Sequence, residues 1–108
     1  MKIKIDQPIK NFDGSTIEMP GPDKIPFTFR KVIENVINSQ VDTAPLTSEK
    51  KLYAFQIGIR LFSKRLPEYD LTVDQVQFIK ERIGLFYGPV IYGRFLELIG
   101  DETLSVIQ

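Results

Sequence analysis

The side chains that do most of the chemistry at neutral pH are missing from this chain. It has no histidine and no cysteine. Histidine is the commonest general base near pH 7 and the commonest metal ligand. Without it, Ser-His and Cys-His nucleophile pairs cannot form, and without either residue a zinc site of the usual kind cannot be built. Carboxylates remain. Glu68 and Asp70 flank Tyr69, and Asp74 follows one turn later. Acidic groups alone suit a hard cation such as magnesium or calcium. No calcium-loop spacing is present, however, and Asp70 and Asp74 equally suit the positive end of the helix they precede. Asp101-Glu102 is a weaker pair still. The glycines at 84, 88, 93 and 100 follow no strand, so no phosphate cradle is expected. These residues imply no catalytic group, no metal and no cofactor.

Cationic side chains offer a different use, contact with nucleic acid. Lys50 and Lys51 open the second helical segment, and Arg60, Lys64 and Arg65 close it. Lys80, Arg82 and Arg94 lie further on. Cations at a helix C-terminus complement its dipole without any ligand, which accounts for Lys64 and Arg65. Glu49, Glu68, Glu81 and Glu97 are interleaved, so no broad single-sign stripe emerges. Fourteen basic and fourteen acidic residues cancel over the whole chain, removing any long-range pull toward phosphate or anionic lipid. The face formed by Lys50, Lys51, Arg60, Lys64 and Arg65 is the basis of an alternative reading as a nucleic-acid-associated regulator.

The aromatic residues point to protein contact. There are eight Phe and four Tyr, many of them in the helical half. A small bundle buries only some of these, and tyrosines half in and half out of a core are common at interfaces. Tyr53, Phe78 and Tyr92 fall off the main apolar seams. With Tyr87 and Arg94 they form the expected partner-binding set.

The elements that must position these residues are legible from pattern. A chain of 108 residues with 43% hydrophobic residues fits one domain, burying roughly 65% of its unfolded surface. Dimerisation is open but not required by size. Residues 2–19 read as a β-hairpin. Lys2 to Ile5 alternates with period two, Asp13-Gly14 is a turn signal, and Thr16 to Met19 returns. Residues 20–26, with three prolines, read as a stiff connector.

Four helices follow within 27–100. The first starts at Thr28, with a Phe27–Val32 staple and a stripe of Phe29, Val32, Ile33, Val36 and Ile37 that leaves Arg30 outward. The second runs from Thr47 or Ser48 to about Leu66. It carries two apolar stripes, Leu52/Phe55/Ile59/Phe62/Leu66 and Ala54/Ile57/Gly58/Leu61, so a central position is expected. Glycine inside a helix weakens it, and Gly58 and Gly93 therefore mark close approach, by another helix of the chain or by a partner. The third opens on a Thr72–Gln75 capping box with a Leu71–Val76 staple, and Gly88 is suited to a left-handed cap at its end. The fourth begins at Pro89 and closes at Gly100. The tail, 101–108, adds an edge strand or frays. The expected fold is α+β, mainly α: an N-terminal β-hairpin packed on a bundle of about four helices.

No run of about 18 apolar residues appears, and residues 1–6 lack the apolar core of a signal peptide, so no membrane partner and a cytoplasmic location are expected.

The layout resembles small accessory proteins of tailed bacteriophages and prophages. The resemblance rests on Lys4-Ile5-Asp6-Gln7-Pro8-Ile9 with Asp13-Gly14, on Thr28 to Ile33, on Leu71 to Glu81, and on Gly88 to Leu98. It implies a non-enzymatic protein-binding role in the bacterial host cell, as a virion assembly factor or an inhibitor of a host protein. It assigns no catalytic residue and no partner, and self-association stays open.

Overall fold

The fold is that of a computed structural model, which describes residues 1–39 and 45–100. Four helices carry most of it: α1 (Phe29–Asn38), α2 (Ser48–Phe62), α3 (Val73–Phe86) and α4 (Pro89–Ile99). Two short strands, β1 (Lys2–Ile3) and β2 (Tyr69–Asp70), complete an α+β, mainly α architecture. The expected tail strand or frayed end at 101–108 lies outside the described residues.

The N-terminal segment does form a hairpin, though a shorter one than alternation implied. Lys10 bridges Thr16 across a turn in which Asn11 N–H donates to the Ser15 carbonyl at 2.8 Å. The Asp13 carboxylate accepts from Ser15 N–H at 2.9 Å and from its hydroxyl at 2.7 Å. Gly14 takes the positive φ of 89° that this turn requires.

Residues 2–3 pair elsewhere. β1 lies antiparallel to β2, with Lys2 opposite Asp70 and Ile3 opposite Tyr69. The Met1 ammonium extends the pairing, donating to the Leu71 carbonyl at 2.9 Å and to Asp70 Oδ1 at 3.1 Å.

Beyond β1 the chain closes a ring of three backbone hydrogen bonds. Ile9 N–H donates to the Phe27 carbonyl, Phe27 N–H to the Ile17 carbonyl, and Ile17 N–H to the Ile9 carbonyl, at 2.8–2.9 Å. The proline-rich stretch is the loop that makes this ring possible. Met19 N–H donates to the Ile25 carbonyl at 2.7 Å, so residues 20–25 turn back on themselves.

The helices start and stop largely where their caps direct. Thr72 and Gln75 make both halves of the capping box, at 2.9 and 3.1 Å. Leu71 and Val76, the staple pair, are both buried. Gly100 ends α4 in the left-handed conformation at φ 66°. Gly88 is instead extended and serves as the N-cap of α4, because the Tyr87 N–H already closes α3 onto the Ile83 carbonyl. At the start of α1, the Ile5 carbonyl accepts from Arg30 N–H at 2.7 Å and satisfies an otherwise orphan donor.

The core lies where α1 crosses α3. All five expected α1 residues are buried, and Ile3, Ile5 and Ile9 of the N-terminal segment and Phe95 of α4 join the same core. Phe29 and Phe95 meet with ring centroids 6.1 Å apart. Arg82 of α3 enters this core at 4% exposure. Its Nε donates to the Val36 carbonyl at 3.3 Å and its Nη2 to the Ser39 carbonyl at 2.6 Å, and the guanidinium lies over the Phe86 ring. α1 has no basic residue in its own last turn, so α3 supplies the cation for that C-terminus. Burial lowers the Arg82 pKa, but a guanidinium stays charged there.

Candidate interaction face

α2 has two apolar stripes, and the structure buries only one. Ala54, Ile57 and Leu61 turn inward and are buried against the core. At 100° per residue, Leu52, Phe55 and Ile59 fall on nearly the opposite side of the same helix. They are 59%, 64% and 52% exposed. α2 is therefore a peripheral helix, not the central one its composition implied. The physical reason is size. The small Ala54 and Gly58 face α1, where a Cβ added at Gly58 would meet Ile37 Cδ1 at an ordinary contact distance of 3.5 Å. The bulky stripe is left facing out.

Beside that stripe runs a groove of about 470 Å³ between α1 and α2. Ile37, Ala54, Gly58 and Phe62 line it along with Phe55 and Ile59, and Glu34 and Lys51 supply its charges. Glu34 also lies 3.7 Å from Lys31. α2 ends earlier than Leu66, at Phe62.

A polar clamp fixes the C-terminal end of α2. Arg30, expected to point outward, turns in. Its Nε donates to Asp6 Oδ1 at 2.7 Å, its Nη2 to Asp6 Oδ2 at 3.0 Å and to the Tyr69 hydroxyl at 2.9 Å, and its Nη1 to the Leu61 carbonyl at 3.3 Å. The Tyr69 hydroxyl also accepts from Leu66 N–H and donates to the Lys64 carbonyl. The hydrogen bond from Arg30 is the main cause holding the Asp6 carboxyl below its usual pKa, with Arg65 adding to it, while Asp6 raises the pKa of Arg30.

The expected partner-binding residues divide into separate places. Tyr53 meets Phe78 edge to face, with centroids 5.3 Å apart, and Phe78 is only 9% exposed. That contact ties α2 to α3. Tyr87 and Tyr92 share a shallow groove between α3 and α4, where Tyr87 also accepts from Asn35 Nδ2 at 3.0 Å. Arg94 grips the N-terminal turn: its Nε donates to the Lys10 carbonyl and its Nη2 to the Asn11 carbonyl, while Nη1 pairs with Glu97.

The expected basic face divides too. Arg60 donates twice to the Asp70 carbonyl, at 3.0 and 2.6 Å, and Arg65 pairs with Asp6 at 2.9 Å. Lys50 lies in a cleft with Glu49, Asp74 and Glu81, whereas Lys51 lines the α1–α2 groove with Glu34. Lys64 is exposed. Intrachain bonds thus hold Arg60 and Arg65, and Lys50 and Lys51 share clefts with acidic side chains.

The acidic residues near the start of α3 serve the fold. Asp70 takes the Met1 ammonium, which lowers its pKa, and Glu68 lies 3.8 Å from Lys2. Among the described residues, no group of three or more acidic, histidine or cysteine side chains is placed to hold a metal ion. Gly93 has open space where a Cβ would stand, so it marks no close approach within the chain. Sequence reasoning missed the exposed stripe itself. The small residues at 54 and 58 were the available signal, because they mark the side that another helix presses.

Comparison with known proteins gave no matching family model, no matching curated protein and no matching solved structure. Among the described residues, no helix is long and apolar enough to cross a membrane.

Proposed function

We propose that this chain is a non-enzymatic protein-binding module and that its docking surface is the outer face of α2 with the α1–α2 groove. The single observation that carries this is the exposure of Leu52, Phe55 and Ile59 at 59%, 64% and 52% on one helix face. Three adjoining large apolar side chains left in water cost solvation free energy that an ordinary surface avoids. Their spacing suits a partner helix or strand laid along α2.

Two further features support a protein as the partner. The groove is predominantly apolar and carries one charge of each sign, which a polyanion would not select. Two of the five cations of the nucleic-acid alternative, Arg60 and Arg65, are engaged within the chain. The resemblance to tailed-phage accessory proteins directs the reading toward virion assembly or inhibition of a host factor, acting in the bacterial cytoplasm. Action is by contact, without cofactor or turnover.

The test is photo-crosslinking in cells that produce the protein. A photoreactive residue at position 55 should trap protein in nuclease-resistant adducts. The same residue at Phe12, 80% exposed on the N-terminal turn, should not. Adducts to nucleic acid, or equal yields at both positions, would contradict the reading.

A further inference from the structure

We infer that the partner seated on this face is a second copy of the same chain, held by an antiparallel α2–α2 contact about a two-fold axis. The inference rests on reading this face as a protein-docking surface.

An isologous interface needs one surface that carries both a projection and the recess that receives it. The α2 face does. Phe55 and Ile59 project, and the groove lined by Ile37, Gly58 and Phe62 runs directly beside them. The apolar positions 52, 55, 59 and 62 are spaced 3-4-3, the seam that packs helix on helix. Reversed, the series reads the same. Antiparallel pairing therefore sets Phe55 against Ile59 of the second copy, and Leu52 against its Phe62.

Charge and area fit the same occupant. Glu34 and Lys51 give the groove balanced charge, and the whole chain has a net charge of zero, so two copies meet without long-range repulsion. Three side chains exposed by more than half, taken from two copies, place on the order of 600 Å² of apolar surface at the centre of a contact. A stable interface needs roughly 1,200 Å² in total, so the stripe would cover about half of it and the groove walls and polar rim would have to cover the rest.

The experiment uses the absence of cysteine in the chain. Gln56 is exposed on α2 beside the seam and, in the antiparallel arrangement, approaches its own symmetry mate. The Gln56→Cys protein treated with a short bismaleimide should yield a covalent dimer, and Phe12→Cys should not. Sedimentation equilibrium of the unmodified chain should show a monomer–dimer equilibrium. Phe55→Asp, and the milder Phe55→Ser, should weaken it by about tenfold or more. A chain that stays monomeric up to about 200 μM, well above the micromolar range of weak specific contacts, overturns the inference. So does a dimer that Phe55→Asp leaves intact. A monomer whose position 55 crosslinks to a different protein, or that binds phosphatidylserine-containing vesicles through Phe55, also overturns it. The first of these keeps the docking face and the second removes both readings.

Discussion

Arg30 and Asp6 meet as a two-pronged fork, Nε to Oδ1 at 2.7 Å and Nη2 to Oδ2 at 3.0 Å, and the same guanidinium reaches Tyr69 and the end of α2. One side chain thus joins the N-terminal segment, α1, α2 and β2. The pose of α2, and so of its exposed stripe, depends on this junction.

The junction predicts an acid limb in stability. Asp6 has a folded pKa below its ordinary 3.8, so its contribution is present above that value and is lost as pH falls through the lowered one. Asp6→Asn should reduce unfolding free energy at pH 7 by about 1–2 kcal/mol. It should also flatten the decline below about pH 4. Some slope should remain, because Asp13 and Asp70 are lowered as well. Urea unfolding across pH 2.5–7 measures both effects.

Arg82 makes the second prediction. Arg82→Met keeps the buried stem but leaves the Val36 and Ser39 carbonyls without this donor, at a cost of about 2–4 kcal/mol. Arg82→Lys should recover less than half of that. An ammonium is a point donor and cannot serve two carbonyls as a planar fork does. Thermal or chemical unfolding of the pair of variants decides it.

The hydrogen-bonded ring formed by Ile9, Ile17 and Phe27 should open as a unit. Ile9→Ala removes a side chain that is 1% exposed and should cost about 2–4 kcal/mol. Arg94→Ala releases the turn carrying Lys10 and Asn11 and should cost about 1–2 kcal/mol. In both variants, amide exchange at Ile9, Ile17 and Phe27 should accelerate together. Acceleration confined to a single amide would show that the ring is not cooperative.

Helix existence and most caps were legible because each rests on residues within about four positions of one another. Thr72 with Gln75, Pro89 and Gly100 are of this kind, as is the single clear stripe of α1. α2 was not, because both of its stripes repeat at helical spacing and only the neighbour decides which is buried. Lys2 and Ile3 read correctly as extended, but their partners, Asp70 and Tyr69, lie far along the chain, beyond any local pattern. Arg30, Arg82 and Tyr69 looked like surface or loop residues. Their long side chains find carbonyls and a carboxylate contributed by distant segments, which spacing does not encode. The site was hidden for the same reason: exposure is a property of the packed molecule.

The two faces of α2 should respond differently to change. Leu52→Ser, Phe55→Ser and Ile59→Ser should each alter unfolding free energy by no more than about 0.5 kcal/mol in the monomer, as surface substitutions do. Ile57→Ala, at a fully buried position, should cost about 2–4 kcal/mol. Denaturant unfolding of dilute protein provides the comparison.

Whether the outer face of α2 exists for binding is tested most directly by recovering partners on the tagged wild-type chain and on Phe55→Asp, side by side, from producing cells. Recovery is done after nuclease treatment in moderate salt, with an untagged copy of the chain also present. The account predicts that the wild type retains a protein partner, the untagged copy included, and that the variant loses it by about tenfold or more. Equal recovery on both would contradict it.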